Sequence, residues 1–221
     1  EVHVPEGVTV PEDMVYIPSG EFIMGHPDEP KTRKGQKVSI DAFLIERFEV
    51  TREQFKLFKP DYSFHPKKAK FPVSMVTFAQ AQEYCQWKGR RLPTEAEWEK
   101  AARGPDGRKW PWRKYYEHPN NGFSGFLPEP VDQRHEWVSP YGVYGMGYNV
   151  WEWTSDWYAY DGILEKDRNR FKVIRGGLTQ THTVIKFSPA YYRNKIEPTA
   201  HFNFIGFRCL LGMASLRASG S

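Results

Sequence analysis

The sequence predicts one loop-rich domain that combines short helices with short strands. Three observations support this prediction: a length of 221 residues, an aromatic fraction of 16%, and 18 glycines with 17 prolines. A chain of this length can bury a substantial core as a single domain. Large aromatic rings fill a core that few regular elements define, and abundant Gly and Pro disfavour a helical bundle. No run of about 18 apolar residues occurs, so no transmembrane segment is expected.

The chain divides into an extended N-terminal segment over 1–13, a domain over 14–212 and a tail over 213–221. The first segment is rich in Pro and Val. Because the sequence begins at Glu1 rather than at a methionine, a mature or trimmed form is expected. The tail consists mainly of small and polar residues, and we expect it to be disordered or appended to the native protein.

Alternating apolar residues predict the strands. Residues 14–25 alternate around a turn at 18–20, which predicts a β-hairpin. Residues 38–50 alternate more loosely and predict one further strand. A short strand is expected at 173–174, directly before two glycines, and a closing strand at 205–211.

Three helices are predicted, and two of them begin with a capping box. In this motif a Thr side chain and a Gln or Glu three residues later bond each other's backbone N–H groups. The boxes are Thr51 with Gln54 and Thr94 with Glu97. The remaining helix is expected to start at about Phe78, between the other two.

The net charge is +4, and much of the Lys and Arg content lies in patches at 31–37, 67–70 and 108–114. Such patches occur on nucleic-acid-binding surfaces and also on solvated faces of other proteins. Because these are short and lie in loop-like sequence, the solvated face is the favoured interpretation. No nucleic-acid-binding motif accompanies them, so no nucleic-acid partner is expected.

Two segments are dense in tryptophan and acid, 91–99 (RLPTEAEWE) and 151–157 (WEWTSDW). Neither is a simple amphipathic repeat, and both require a specific packed scaffold. The expected core anchors are Trp98, Trp151, Trp153 and Trp157. A buried ion network is expected among Arg91, Glu95 and Glu97. The two cysteines, Cys85 and Cys209, are by number alone either free thiols or a pair.

In this order along the chain, these segments resemble the formylglycine-generating-enzyme (sulfatase-modifying-factor) family. The resemblance covers about 14–211, and its other landmarks are Met14–Gly25, Glu49–Phe55, Pro72–Val73, Ala81–Trp87, Arg175–Gly177 and Gly206–Cys209. It implies an α+β, C-type-lectin-related single domain with little regular secondary structure. It also implies a disulfide between Cys85 and Cys209, and hence an extracytoplasmic location: periplasmic, secreted or surface-attached.

The resemblance also shows which chemistry is missing. In catalytic members of that family, two cysteines five residues apart bind copper(I) and oxidise a substrate cysteine. Those positions hold Thr181 and Lys186 here, and neither is a soft ligand for copper(I). Copper and the family's activity are therefore not expected. The former substrate groove would be lined by Trp151, Leu178, Thr181, His182, Lys186, Tyr192 and Arg193.

Family members also bind calcium near the Trp-Glu-Trp motif. The Val150 carbonyl and the Glu152 carboxylate match ligand positions, whereas Gly145 and Tyr148 replace the usual Asn or Asp and the usual Gly. A second family site would use Asn121. Calcium needs several oxygen ligands, so these few matching positions are only weak support for a calcium site. No other cofactor is expected.

Three functions stay open at this point. The first is a non-catalytic extracytoplasmic binding or accessory module, which contacts a protein partner, a larger assembly or a ligand through the groove around 178–204. The second is an enzyme with a different site, built from His182, Tyr192, Arg193 and Glu152. The third is a retroelement-diversified display protein, with variable residues at 179–188 and 201–204. The missing thiolate pair favours the first.

Overall fold

The computed structural model describes residues 2–27, 34–112, 128–160, 163–180 and 185–213, with the backbone alone for 179–180 and 185–187. The described part contains three α-helices: α1 (Arg52–Phe58), α2 (Phe78–Trp87) and α3 (Glu95–Arg103). Its strands are β1 (Met14–Ile17), β2 (Gly20–Gly25), β3 (Lys34–Ile40), β4 (Phe43–Glu46), β5 (Trp151–Trp157), β6 (Lys172–Arg175), β7 (Leu178–Gln180), β8 (Ile185–Phe187), β9 (Asn194–Ile196), β10 (Ile205–Gly206) and β11 (Leu210–Gly212). None of the described helices is long and apolar enough to cross a membrane.

The strands form four small sheets. A three-stranded sheet has the order β1-β4-β11, and a four-stranded sheet has the order β10-β5-β6-β9. Two further pairs are β2 with β3 and β7 with β8. Only the pairing of β10 with β5 is parallel among these elements. The architecture is therefore α+β with short elements, as the sequence predicts.

The predicted N-terminal hairpin is wrong in its pairing, although both of its strands exist. β1 pairs with β4, with Met14 opposite Glu46, whereas β2 pairs with β3, with Phe22 opposite Val38. The turn before β2 thus moves the chain from one sheet to another. All four residues of β1 are buried, so its position is set by packing on both faces and not by a local turn.

Two predicted single strands are each split. The strand predicted over 38–50 is replaced by β3 and β4, which belong to different sheets. The strand predicted over 205–211 is replaced by β10 and β11, also in different sheets. Between β10 and β11 the Phe207 carbonyl accepts a hydrogen bond from the Val50 N–H. The closing segment therefore connects the two larger sheets.

All three predicted helices are present, and capping explains where they start. The capping boxes of α1 and α3 form as predicted, with Thr51 Oγ1 accepting from Gln54 N at 3.2 Å and Thr94 Oγ1 accepting from Glu97 N at 3.2 Å. A third capping box, Thr77 with Gln80, starts α2. Gly104, with a positive φ of 68°, ends α3.

The core contains the predicted tryptophans and the disulfide. Trp98, Trp151 and Trp153 are buried, whereas Trp157 is 39% exposed and was wrongly predicted as a core anchor. Trp157 is the last residue of β5, and the Lys172 ammonium covers its ring at 3.8 Å. Cys85 and Cys209 form a fully buried disulfide. This is the pairing that the family resemblance implies.

Candidate functional site

The structure brings three of the predicted groove residues together. The Trp151 indole Nε1 donates to the Leu178 carbonyl at 3.1 Å, and the rings of Trp151 and Tyr192 lie 6.2 Å apart. Lys186 lies on β8, for which the backbone alone is described, and Thr181 and His182 lie outside the described residues. One wall of the predicted groove is therefore defined by β5, β7 and the segment before β9.

Two glycines allow the chain to pass against two tryptophans. A Cβ atom at Gly177 would overlap the indole ring of Trp151. A Cβ atom at Gly176, which has a φ of +82°, would lie 2.5 Å from Trp98 Cζ2. Both rings are buried and cannot move aside cheaply. The Gly-Gly motif is thus explained by close packing beneath the groove wall.

Replacing Gly177 with alanine tests this packing. We expect Gly177→Ala to lower the free energy of unfolding by about 1–3 kcal/mol, because the added methyl group overpacks against Trp151. The matched control is Gly212→Ala, where an added Cβ meets nothing within 4 Å, and the expected change is within about 0.5 kcal/mol. Urea unfolding followed by tryptophan fluorescence measures both. Equal stabilities for the two variants would contradict the packing explanation.

Arg193 forms a buried ion pair with Glu95. Its Nε donates to Glu95 Oε2 at 2.7 Å, its Nη2 donates to Glu95 Oε1 at 3.0 Å, and its Nη1 donates to the Ala159 carbonyl. Both charged side chains are buried. Arg193 therefore holds the segment that follows β8 against the start of α3, and the structure does not direct its guanidinium into an open groove.

The buried ion network expected for the 91–99 segment is wrong in its members. Arg91 pairs with Glu97 at 2.6 Å, and the Arg91 side chain is 48% exposed. Glu95 instead pairs with Arg193 from the far end of the chain. Sequence reasoning grouped these three residues by proximity along the chain, whereas the helix directs Glu95 and Glu97 in different directions.

A buried network that the sequence analysis missed is centred on Glu99. Glu99 Oε1 accepts from the Gly25 N–H at 2.7 Å and from Arg103 Nη1 at 2.6 Å, and Oε2 accepts from Arg175 Nη2 at 2.6 Å. It joins α3 to β2 and β6. The spacing of Glu99 and Arg103, four residues apart on one helix face, was the available signal.

The carboxylate of Glu152 is fully used within the protein. Its Oε1 accepts from Arg208 Nη2 at 2.7 Å, and its Oε2 accepts from Arg208 Nε at 2.7 Å and from the Trp98 indole N–H at 2.9 Å. Glu152 and Arg208 are fully buried. A metal ion bound by Glu152 would have to compete with this bidentate ion pair.

Among the described residues, the remaining predicted calcium ligands do not complete a cation site. At Gly145 an added Cβ would overlap the Glu49 carboxylate, which fills this space. Val150 is fully buried, and Asn121 lies outside the described residues. Within the described part of the chain, no three His, Cys, Asp or Glu side chains are grouped so that they could hold a metal ion. Of the predicted ligands, the described residues offer the Val150 carbonyl and a Glu152 carboxylate that already pairs with Arg208, which is fewer than the six to eight oxygen ligands that calcium takes.

A thermal-shift titration with calcium tests both predicted sites, the one at Val150 and Glu152 and the one at Asn121. From the described residues alone, which hold Glu152 in an ion pair with Arg208, we expect millimolar calcium to leave the melting temperature unchanged. Ligand at about ten times its Kd would stabilise the fold by roughly 1.4 kcal/mol, which thermal unfolding detects. A calcium-dependent rise in melting temperature that magnesium does not reproduce would contradict the expectation.

Glu49 is a buried carboxyl group near Arg208 with a raised pKa. Its side chain is fully buried, Oε1 accepts from Asn149 Nδ2 at 3.0 Å, and Oε2 has no hydrogen-bond partner within the described residues. Arg208 Nη2 is 3.9 Å from Oε2. Burial raises the pKa of Glu49 to about 7, against the opposing effect of Arg208 and with a further increase from Glu152.

This raised pKa predicts a pH dependence of stability. Between the ordinary pKa of 4.5 and about 7, the folded state holds a proton that the unfolded state has released, so the Glu49 contribution to stability falls as pH rises. The slope from one group is at most about 1.4 kcal/mol per pH unit. Urea unfolding between pH 5 and 7 should show a flatter profile for Glu49→Gln. Identical slopes for variant and wild type would refute the assignment.

Comparison with known protein families gives one match over nearly the whole chain. Residues 2–213 match the model of the sulfatase-modifying factor enzyme 1-like domain. The protein YfmG of Bacillus subtilis, whose function is uncharacterized, is 28% identical over 268 residues, which cover 91% of this chain and 55% of YfmG. The chain thus spans about half the length of that relative.

Two bovine relatives differ in activity by name. The formylglycine-generating enzyme of Bos taurus is 26% identical over 280 residues, covering 90% of this chain and 74% of the enzyme. The inactive C-alpha-formylglycine-generating enzyme 2 of Bos taurus is 28% identical over 272 residues, covering 90% of this chain and 88% of the relative. Sequence identity alone does not separate the two.

Two solved structures share the fold. Variable protein 1 of Treponema denticola superposes with a TM-score of 0.76 at 22% identity, covering 90% of this chain and 94% of that protein. PvdO of Pseudomonas aeruginosa superposes with a TM-score of 0.72 at 23% identity, covering 96% of this chain and all (100%) of PvdO. At these identities the similarity concerns the fold alone.

Proposed function

Because the chain belongs to the family of the sulfatase-modifying factor enzyme 1-like domain, we propose that it is a non-catalytic binding module. The observation that carries this proposal is the state of its thiols. The chain has two cysteines, and both are joined in one buried disulfide. No thiolate is therefore left to bind copper(I) or to react with oxygen.

The similarity to a relative named as inactive supports the same proposal. The buried disulfide supports a location outside the cytoplasm, since such bonds persist in oxidising compartments.

The binding surface that we propose consists of Met75, Phe202 and Phe204, and we name it the Phe202 surface. Phe202 and Phe204 are 45% and 36% exposed, and their rings stack in parallel at 5.2 Å. Met75 is 53% exposed, and its N–H donates to the Phe202 carbonyl at 3.0 Å. Exposed aromatic and Met side chains are enriched at protein interfaces, so a protein is the favoured partner.

Two backbone features define the place of this surface in the fold. The Trp151 N–H donates to the Phe204 carbonyl at 2.8 Å, which places the aromatic pair beside the start of β5. Met75 has a φ of +61°, a conformation that non-Gly residues rarely adopt without a structural or functional reason. The exposed residues thus lie on a built part of the fold rather than on a free loop end.

A comparative capture experiment tests the proposal. Wild type, Phe202→Ser/Phe204→Ser and Leu57→Ser are immobilised and exposed to extract from the source organism. Leu57 is 72% exposed on α1 and serves as the matched control. We expect a partner that wild type and Leu57→Ser retain and the double variant loses. A set of captured proteins that is identical for all three would contradict the proposed surface.

A second candidate, the diversified display protein, is favoured by one observation. All four residues of 201–204 are exposed, as variable contact residues would be. A near-copy of this coding segment beside a reverse-transcriptase gene would support it. The hypothesis of a different enzyme is weakened, because Glu152 and Arg193 are each used in buried ion pairs.

A further inference from the structure

An open cleft of about 1600 Å³ lies apart from the Phe202 surface. One wall is the N-terminal arm (residues 5–9), and a second is formed by residues 39–43, where β3 leads into β4. The start of α3 and the end of β11 complete it. A cleft of this volume has room for several residues of an extended chain.

The lining of the cleft is acidic although the chain is basic. Glu6 and Asp41 are exposed in it, and neither takes part in an ion pair within the described residues. Arg91 does not neutralise them, since both of its terminal nitrogens bond to Glu97. Two negative charges without an ion-pair partner in the described part of the chain thus face the cleft, although the net charge of the chain is +4. Such a surface attracts a cationic partner and repels nucleic acid.

The end of β11 adds a free strand edge to the same cleft. Leu210 exchanges both backbone hydrogen bonds with Arg91, at 2.7 and 2.9 Å. Alternate residues of a strand direct their N–H and C=O groups to the same side. The N–H and C=O groups of Gly212 therefore point to the side of β11 on which Leu210 pairs with Arg91. The Cys209 carbonyl accepts from the Glu46 N–H of β4, so Leu211 also faces β4 and Gly212 faces away from it, where no backbone partner occurs within the described part of the chain. A Cβ at Gly212 would meet nothing within 4 Å, so the space beside it is open.

We propose that this cleft binds an extended peptide segment bearing Lys or Arg side chains, which pairs as an added strand with the edge of β11. The backbone of the partner lies beside β11 on the same side as Arg91. It accepts a hydrogen bond from the Gly212 N–H and donates one to the Gly212 carbonyl. Its cationic side chains face Glu6 and Asp41, and its alternate side chains contact the apolar lining at Ile40 and Phe43. This is strand addition, in which backbone bonds provide affinity and side-chain contacts provide specificity.

The first experiment measures which peptide binds. A fluorescein-labelled eight-residue peptide that alternates Lys and Val is titrated with the full chain by fluorescence anisotropy, beside a peptide that alternates Glu and Val. We expect the Lys peptide to bind about tenfold more tightly, with an affinity that falls as salt rises, because exposed charges are screened. Equal affinities, or no saturable binding of the Lys peptide at millimolar protein, would overturn the proposal.

The second experiment locates the peptide. Gly212→Pro removes the outward N–H while leaving the bonds of Leu211 to β4, and proline is tolerated where an edge N–H faces solvent. Loss of one hydrogen bond should weaken the Lys peptide about fivefold, whereas the matched Gly212→Ala should stay within about twofold. Thermal unfolding establishes that both variants are folded. The same affinity for the two variants would refute strand addition.

A surface-charge variant remains decisive if Gly212→Pro does not fold. Glu6→Gln/Asp41→Asn changes two exposed side chains and leaves the backbone edge intact. We expect it to weaken the Lys peptide about threefold or more and to leave binding of the Glu peptide unchanged or stronger, because the lining loses both of these negative charges. Unchanged selectivity between the two peptides would overturn the assignment of a cationic partner.

Discussion

Replacing Arg208 with methionine is expected to destabilise the protein by about 3–5 kcal/mol, because it leaves buried carboxylates without their cation. Arg208 is fully buried. Its guanidinium makes two bonds to Glu152 and also donates to the carbonyl groups of Glu46, Arg47 and Tyr144. Removing it would leave the buried Glu152 carboxylate without its cation and each of these carbonyl groups without one donor, although the Arg47 carbonyl keeps its bond from the Tyr144 N–H. Urea unfolding at pH 7 is the measurement.

The matched control is Arg91→Met, which removes a bidentate Arg–Glu pair of similar geometry at the surface. The Arg91 side chain is 48% exposed, and exposed pairs contribute about 0–1 kcal/mol. The contrast between the two variants isolates burial as the cause. If Arg208→Met lost no more stability than Arg91→Met, burial of the Arg208 ion pair would not be the cause of its large expected effect.

Removing the disulfide is expected to have the second large effect. The Cys85–Cys209 bond connects residues 124 positions apart. In the chain-entropy model such a loop contributes about 4–5 kcal/mol, so Cys85→Ala/Cys209→Ala should lose an amount of that order. The measurement compares denaturant unfolding of the oxidised wild type and the double variant. A loss below about 1 kcal/mol, or two free thiols in the native protein by mass spectrometry, would contradict the prediction.

Local signals predicted the helices well. The capping boxes at Thr51 and Thr94 involve residues only three positions apart, so the sequence contains the whole interaction. The order of the motifs along the chain is also contained in the sequence. The family resemblance that rests on this order is confirmed by the family model over 2–213. The disulfide followed from that resemblance and not from any local pattern.

Strand pairing was not predictable from local alternation. The partners of β1 and β11 are chosen by packing across the whole chain, so a turn between two strands did not mean that they pair. Alternation also gave no sign that 205–211 crosses between sheets, since the buried residues Phe207 and Cys209 occur in the break. Tertiary packing overrides local strand preference in such short elements.

The candidate site was predicted only in part, for a similar reason. Trp151, Leu178 and Tyr192 lie together, because each is next to a motif with a fixed place in the fold, and their role as a groove stays a prediction. Arg193 and Glu152 were assigned by motif position, whereas their roles depend on distant partners. Within the Phe202 surface, Phe202 and Phe204 were named only as candidate variable residues, and Met75 had no signal because it approaches them from a different part of the chain.

The central claim is that this chain keeps the family's frame but has no thiolate to perform the family's oxidation. Its most direct test is mass spectrometry of a cysteine-bearing peptide incubated with the purified protein, copper and oxygen, beside a no-protein control. The account predicts that the peptide cysteine is not converted to formylglycine above the control. Protein-dependent formation of formylglycine would contradict it.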